Sequence, residues 1–168
     1  DGDGTLRTSR RVIGFLVLLV AAGSVWANDV VLGRVRPGTI LSISEEWRKN
    51  HDAYEPSATD VQRIASLQVP ATLDVYFGSW CSDSRREVPR FLKILDLASP
   101  SRLKLRFFGL DRTKKEPARL VKKGAIEKVP TFILKIDGRE VGRIVETPET
   151  SLEHDFAVLV ERAASPAP

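Results

Sequence analysis

The run "ATLDVYFGSWCSDSRREVPRFLKILDL", residues 71–97, changes its hydrophobic period within a few positions. Its first residues form a compact apolar block of strand length, the pattern of a strand buried on both faces. From Ser82 onward Val88, Phe91, Leu92 and Leu95 fall three and four apart, which predicts an amphipathic helix over 82–97. Pro89 lies inside that helix and predicts a kink, because it removes an amide donor and its ring crowds the preceding turn. A buried strand that feeds directly into a helix leaves Trp80 and Cys81 at the junction, where side chains meet solvent and the unpaired amides of a first helical turn.

Around this unit the chain alternates strands and helices. "RLKLRFFGL", residues 102–110, predicts a strand, and a polar helix follows over 116–123, closed by Gly124. "TFILKI" and "EVGRIVE" flank Asp137-Gly138, a strong hairpin signal. A final helix is expected over 149–163, with Leu152, Phe156, Leu159 and Val160 facing inward. Upstream, Thr59 or Asp60 is the expected cap of a helix carrying Val61, Ile64, Ala65 and Leu67. Before it, the β-prone runs Val30 to Val35 and Thr39 to Ile43 surround the turn pair Pro37-Gly38, as an added hairpin or a first strand. Ser44 to Asn50 reads as a short helix opened by Ser44 and broken by Glu55-Pro56-Ser57.

A chain of 168 residues, 42% hydrophobic, can bury one good core. Its single cysteine excludes a disulfide within the chain, and His51 and His154 are too far apart to supply a zinc spacing, so neither a metal nor another cofactor is expected. The formal charge is +4, with acids interspersed among the bases and no long basic block, which argues against nucleic acid as a partner. Arg7, Arg10 and Arg11 precede the apolar run from Val12 to Ala22, and small residues at Val25 and Ala27 stand at minus three and minus one of a cleavage point. That is the order of a secretory signal peptide, and the 16 residues from Val12 to Ala27 fall short of a spanning helix. The expected product is secreted or periplasmic, with a membrane contact only if the signal stays uncleaved. "DGDGTL" at the start has clustered carboxylates beside glycine but lacks the acidic residue that would complete a calcium loop. The expected organisation is thus a signal at 1–27, an amino-terminal extension at 28–58, a main domain at 59–163 and a disordered tail at 164–168.

In order and spacing these features resemble the thioredoxin-fold family over roughly Thr59 to Glu161. Trp80-Cys81 matches the family's tryptophan and nucleophilic cysteine, Pro89 its helix proline, Val129-Pro130-Thr131 its cis-proline loop, and Asp137-Gly138 the turn before its last strand. The resemblance implies an α/β, thioredoxin-like three-layer sandwich with a central mixed sheet of four or five strands flanked by helices. It implies a cis Pro130, with the backbone of Val129 and Thr131 beside the sulfur where an extended peptide could pair. Two positions depart from the family. Ser84 stands where a second cysteine would be, and Val75 stands where a buried acid commonly serves as proton relay; Asp74, one residue earlier, should face the other side of the sheet.

A cysteine at a helix start faces free N–H groups and the positive end of the dipole, which stabilise thiolate over thiol. Arg85 and Arg86 would add to this, Asp83 would oppose it, and the Ser84 hydroxyl could donate to the sulfur. Ser84 cannot attack a mixed disulfide, so Cys81 must be released by an outside thiol, either glutathione or a protein thiol. Two functions follow. One is monothiol thiol-disulfide exchange, with Cys81 and Ser84 as catalytic residues and Trp80, Val129, Pro130 and Thr131 binding the substrate. The other is a redox-inactive binding module that uses the groove beside Pro130. A peroxidase fits less well, because the threonine it needs three residues before the cysteine is Gly78. Trp47, His51 and Tyr54 read as packing residues, and His154 as a solvated or capping one.

Overall fold

The computed structural model describes residues 30–165. The expected signal at 1–27, the acidic start and the last three residues lie outside the described residues. Five strands, β1 (Gly33–Val35), β2 (Ala71–Phe77), β3 (Leu103–Gly109), β4 (Thr131–Ile136) and β5 (Arg139–Val145), form one sheet in the order β1-β3-β2-β4-β5. The β2–β3 pair is parallel and the others antiparallel, so the sheet is mixed, as expected. Helices α1 (Glu45–Asp52), α2 (Ala58–Ala65), α3 (Ser82–Ala98), α4 (Ala118–Gly124) and α5 (Leu152–Ala164) flank it. Among these described residues no helix is long and apolar enough to cross a membrane.

Alternation along β2 divides the molecule. Leu73, Val75 and Phe77 enter the larger core, with Phe107, Phe132 and Leu134 from the neighbouring strands and the inner faces of α3 and α5. Phe91 of α3 is its centre, with its ring 4.8 Å from that of Phe132 and 4.9 Å from that of Phe156. Such ring pairs contribute about 0.5–1.5 kcal/mol each beyond area burial. On the other face Tyr76, Phe108, Leu110, Ile126, Val129 and Ile133 form a smaller cluster, against which Trp80, Cys81, Leu120 and Val121 pack. This second cluster brings α4 and the Trp80-Cys81 junction together.

The same alternation puts Asp74 on the face opposite Val75. It is 1% exposed, and Arg106 grips it with two hydrogen bonds of 2.5 and 2.6 Å while Lys135 adds a third at 3.0 Å. Burial pushes its carboxyl up, but the two cationic partners outweigh burial and hold it below the ordinary aspartate range.

Several local expectations are corrected. Thr39 to Ile43 is not a strand: Pro37–Ser42 forms a 3-10 helix, whose first position suits the fixed φ of proline. No hairpin forms there, and β1 pairs instead with β3 at the sheet edge. The cap of α2 is Ser57, whose hydroxyl accepts the Asp60 N–H at 3.4 Å, rather than Thr59 or Asp60. Gly124 stays inside α4, and the left-handed residue after it is Ala125. Gly124 is small for a different reason: a Cβ there would lie 2.8 Å from the Tyr76 ring. Asp137 and Gly138 both have positive φ, the type I′ geometry their sequence predicts. Ser44 caps α1 by accepting the Trp47 N–H, as expected. The stretch set apart as an extension supplies Ile40 and Trp47 to the larger core, both fully buried.

Candidate functional site

The turn from β2 to α3 is closed from both ends. Cys81 N–H donates to the Gly78 carbonyl at 2.9 Å, and Gly78 N–H donates to Ser84 Oγ at 3.1 Å. A Cβ at position 78 would meet the Trp80 indole at 2.6 Å, so glycine there lets the indole fold back over the turn. Trp80 Nε1 then donates to the Leu110 carbonyl at 3.0 Å, which ties the junction to the end of β3. These three bonds fix the frame that carries the sulfur.

Cys81 is the N-cap of the 17-residue α3, with φ −87° and ψ 128°. Its carbonyl accepts the Arg85 N–H at 3.0 Å, and its side chain caps no amide. The half-buried Sγ therefore sits beside the first turn's N–H groups, at the positive end of a long helix. Its S–H donates to the Val129 carbonyl at 3.4 Å, which joins two segments 48 residues apart.

The Val129–Pro130 peptide bond is cis. Glu146 N–H donates to the Pro130 carbonyl at 2.7 Å, Thr131 Oγ1 donates to the Lys128 carbonyl at 2.7 Å, and Lys128 pairs with Glu146 at 2.7 Å. Val129, Pro130 and Thr131 are all buried, so this loop offers an incoming molecule backbone rather than side chains. Of the residues named from sequence, Trp80, Cys81 and Val129 meet in one cluster, and Pro130 and Thr131 lie beside it.

Ser84 also has a structural task that the sequence did not show. It is fully buried, and its Oγ accepts the Gly78 N–H at 3.1 Å. Arg86 pairs with Asp83 at 2.9 Å and with Glu87 at 2.6 Å, and Arg85 lies 3.5 Å from Glu46. These two cations are thus matched with the carboxylates of Glu46, Asp83 and Glu87. His51 bridges Asp52 and Asp96, Tyr54 donates to the buried Glu153 at 2.6 Å, and Trp47 is a core residue; all three are packing groups. Burial, followed by the hydrogen bond to Glu153, pushes the Tyr54 hydroxyl well above its ordinary range. His154 contributes its N–H to the Ser151 cap and lies 3.5 Å from Asp60.

One neighbour of the site was not legible in the sequence. Arg112, on the loop after β3, places its guanidinium 5.8 Å from the centre of the Trp80 ring. Thirty-two positions separate the two residues, and only the parallel β2–β3 pairing brings their strand ends together.

No curated protein sequence matches the chain. Among solved structures, a protein of unknown function from Pseudomonas aeruginosa is similar at 16% identity and a TM-score of 0.51, over 71% of this chain and 80% of that one. An HIV epitope scaffold gives 16% identity and 0.53, over 73% of this chain and 83% of its own. A mutant thioredoxin from Halobacterium salinarum gives 18% identity and 0.43, over 68% and 92%. The family model described as Thioredoxin matches residues 41–157, which includes the β2–α3 turn, the Val129-Pro130 loop and the segment around Trp47. With that match over most of its length, on a five-stranded mixed sheet flanked by helices, the chain belongs to the thioredoxin family.

Proposed function

We propose that this protein carries out monothiol thiol-disulfide exchange at Cys81, with glutathione or a protein thiol resolving the intermediate. The observation that carries the reading is the placement of Sγ: half-exposed at the N-cap of α3, 3.4 Å from the Val129 carbonyl, with a buried hydroxyl one helical turn further on. The Cys81 thiolate attacks one sulfur of a disulfide, forms a new S–S bond and expels the other sulfur as a thiolate, which takes up a proton. A second, external thiolate then attacks the mixed disulfide and restores Cys81 as the leaving thiolate. Each step exchanges one S–S bond for another, so no further oxidant or reductant is needed.

Arg7, Arg10, Arg11 and the apolar run from Val12 to Ala22 support export of the mature protein, with cleavage after Ala27. In an oxidising compartment a lone thiol would rest as a mixed disulfide. Incubation of the folded protein with oxidised glutathione, followed by intact mass, should show one glutathionyl group that excess reduced glutathione removes. Cys81→Ala should show none. A Cys81 that reacts only in denaturant would overturn this reading. It would favour the binding module, which the buried Val75 in the relay position and the engaged Ser84 hydroxyl also support.

A further inference from the structure

The charge of this chain is unevenly distributed along the sequence. Residues 102–128 hold ten bases and three acids, hence +7, while the rest of the chain holds 16 bases and 19 acids, hence −3. Folding puts much of this excess beside Cys81. Leu120 and Val121 of α4 pack on the same small cluster as Trp80 and Cys81, which turns Arg119, Lys122 and Lys123 outward. Arg112 lies over Trp80, and Lys128 is two positions before Pro130.

Two of the three acids within this segment are occupied, and the third, Glu127, is exposed next to Lys128. Asp111 accepts the N–H groups of Thr113, Lys115 and Glu116 as well as the Thr113 hydroxyl, and that hydroxyl and these amides bring its carboxyl down to about 2. Glu116 accepts the Ala118 N–H at the start of α4. Their charge remains, but their oxygens hold the loop rather than the neighbouring cations. Among the described residues Arg112, Lys114, Lys115, Arg119, Lys122 and Lys123 form no ion pair, whereas the arginines of α3 are all matched with carboxylates. An exposed cation with no partner has lost little hydration and is available for a partner's charge.

We propose that the surface formed by Arg112, Lys115, Arg119, Lys122 and Lys123 beside Cys81 docks an acidic polypeptide, whose carboxylates decide which cysteine or disulfide reaches the sulfur. This rests on the exchange reading and adds a substrate class to it. Two short peptides provide the test, one with glutamates and one with lysines around a single cysteine, each joined as a disulfide to 2-mercaptoethanol. The disulfide of 2-mercaptoethanol itself is the neutral reference, and each rate is divided by the reference rate of the same protein. Attack by Cys81 forms the protein–peptide disulfide and releases 2-mercaptoethanol as its thiolate.

At low salt the glutamate peptide should react about tenfold or more faster than the lysine peptide. The advantage should vanish near 1 M salt, where screening acts over about 3 Å. The combined Arg119→Glu, Lys122→Glu and Lys123→Glu protein should reverse the preference, and Lys123→Gln alone should reduce it. Equal rates for the two peptides, with a reactive Cys81, would overturn the docking surface and leave the exchange reading standing. A Cys81 inert to the neutral disulfide would overturn the exchange reading alone. The surface is then read by binding of the same peptides, with serine for cysteine, to the Cys81→Ser protein. Salt-sensitive binding of the glutamate peptide supports the surface, and no binding overturns it. Capture by phosphatidylserine vesicles without any preference for the glutamate peptide would assign the surface to a membrane instead.

Discussion

The hydroxyl of Ser84 accepts the backbone N–H of Gly78 at 3.1 Å, directly across the turn that presents Cys81. The residue in place of a second cysteine thus fastens the end of β2 to the first turn of α3. A buried N–H with no acceptor costs about 1–3 kcal/mol. Ser84→Ala should lower stability by about that amount, read as a lower urea midpoint with an unchanged slope.

Ser84→Cys asks the complementary question. The new thiol would lie one helical turn from Cys81, the spacing that lets a second sulfur attack a mixed disulfide. This variant should release glutathione from Cys81 without any added thiol and end as an internal disulfide, seen by intact mass. The unaltered protein should keep its glutathionyl group until a thiol is supplied.

Asp74 should govern part of the acid stability. Its folded carboxyl lies below the unfolded value of about 3.9, so its contribution is present above that value and is lost as pH falls through the folded one. Asp74→Asn leaves Arg106 and Lys135 facing a neutral group and should cost about 3 kcal/mol near pH 7, with the difference from the parent shrinking below about pH 4. Denaturation midpoints measured across that range check both the size and the sign. A difference that grows toward acid would contradict the assignment.

Gly78→Ala tests how Trp80 is held. A Cβ there would stand 2.6 Å from the indole, so the ring must move off the turn and give up its 3.0 Å bond to the Leu110 carbonyl. Overpacking of this kind costs about 1–3 kcal/mol. Thermal melts should show that loss, and alkylation of Cys81 should become faster as the turn that carries it loses its tie to the end of β3.

Trp47 carries the last prediction. It is fully buried, its ring centroid is 5.5 Å from that of Phe77, and its Nε1 has no hydrogen-bond partner among the described residues. Trp47→Ala should cost about 3–5 kcal/mol. Trp47→Phe should cost much less, because it also removes an unpaired buried N–H. Equal losses for both, by urea unfolding, would mean that the indole nitrogen is bonded.

Where one segment carries its own signal, sequence and structure agree. The two-face burial of β2, the three-and-four spacing of α3, the positive-φ pair Asp137-Gly138 and the Ser44 cap are set by interactions within a few residues. The disagreements arise where distant partners decide. Thr39 to Ile43 has strand propensity but no strand beside it to complete a ladder, and the chain turns into a 3-10 helix that delivers Ile40 to the core. Gly124 looks like a helix stop and is instead the place where α4 touches Tyr76.

The site divides in the same way. The sequence by itself determined that one cysteine follows a strand and opens a helix, that no second thiol can answer it, and that a Val-Pro-Thr loop exists to meet it. Tertiary structure alone decided that Sγ reaches the Val129 carbonyl and that Arg112 lies over Trp80. Helix and strand patterns are local and periodic, so they can be read along the chain. Hydrogen bonds and charge neighbourhoods between segments depend on sheet order and register, which bring together residues 30 to 50 positions apart. The basic residues 112–123 are the clearest case: their excess is legible in the sequence, but only the packing of Leu120 and Val121 on the cluster of Trp80 and Cys81 sets them near the sulfur.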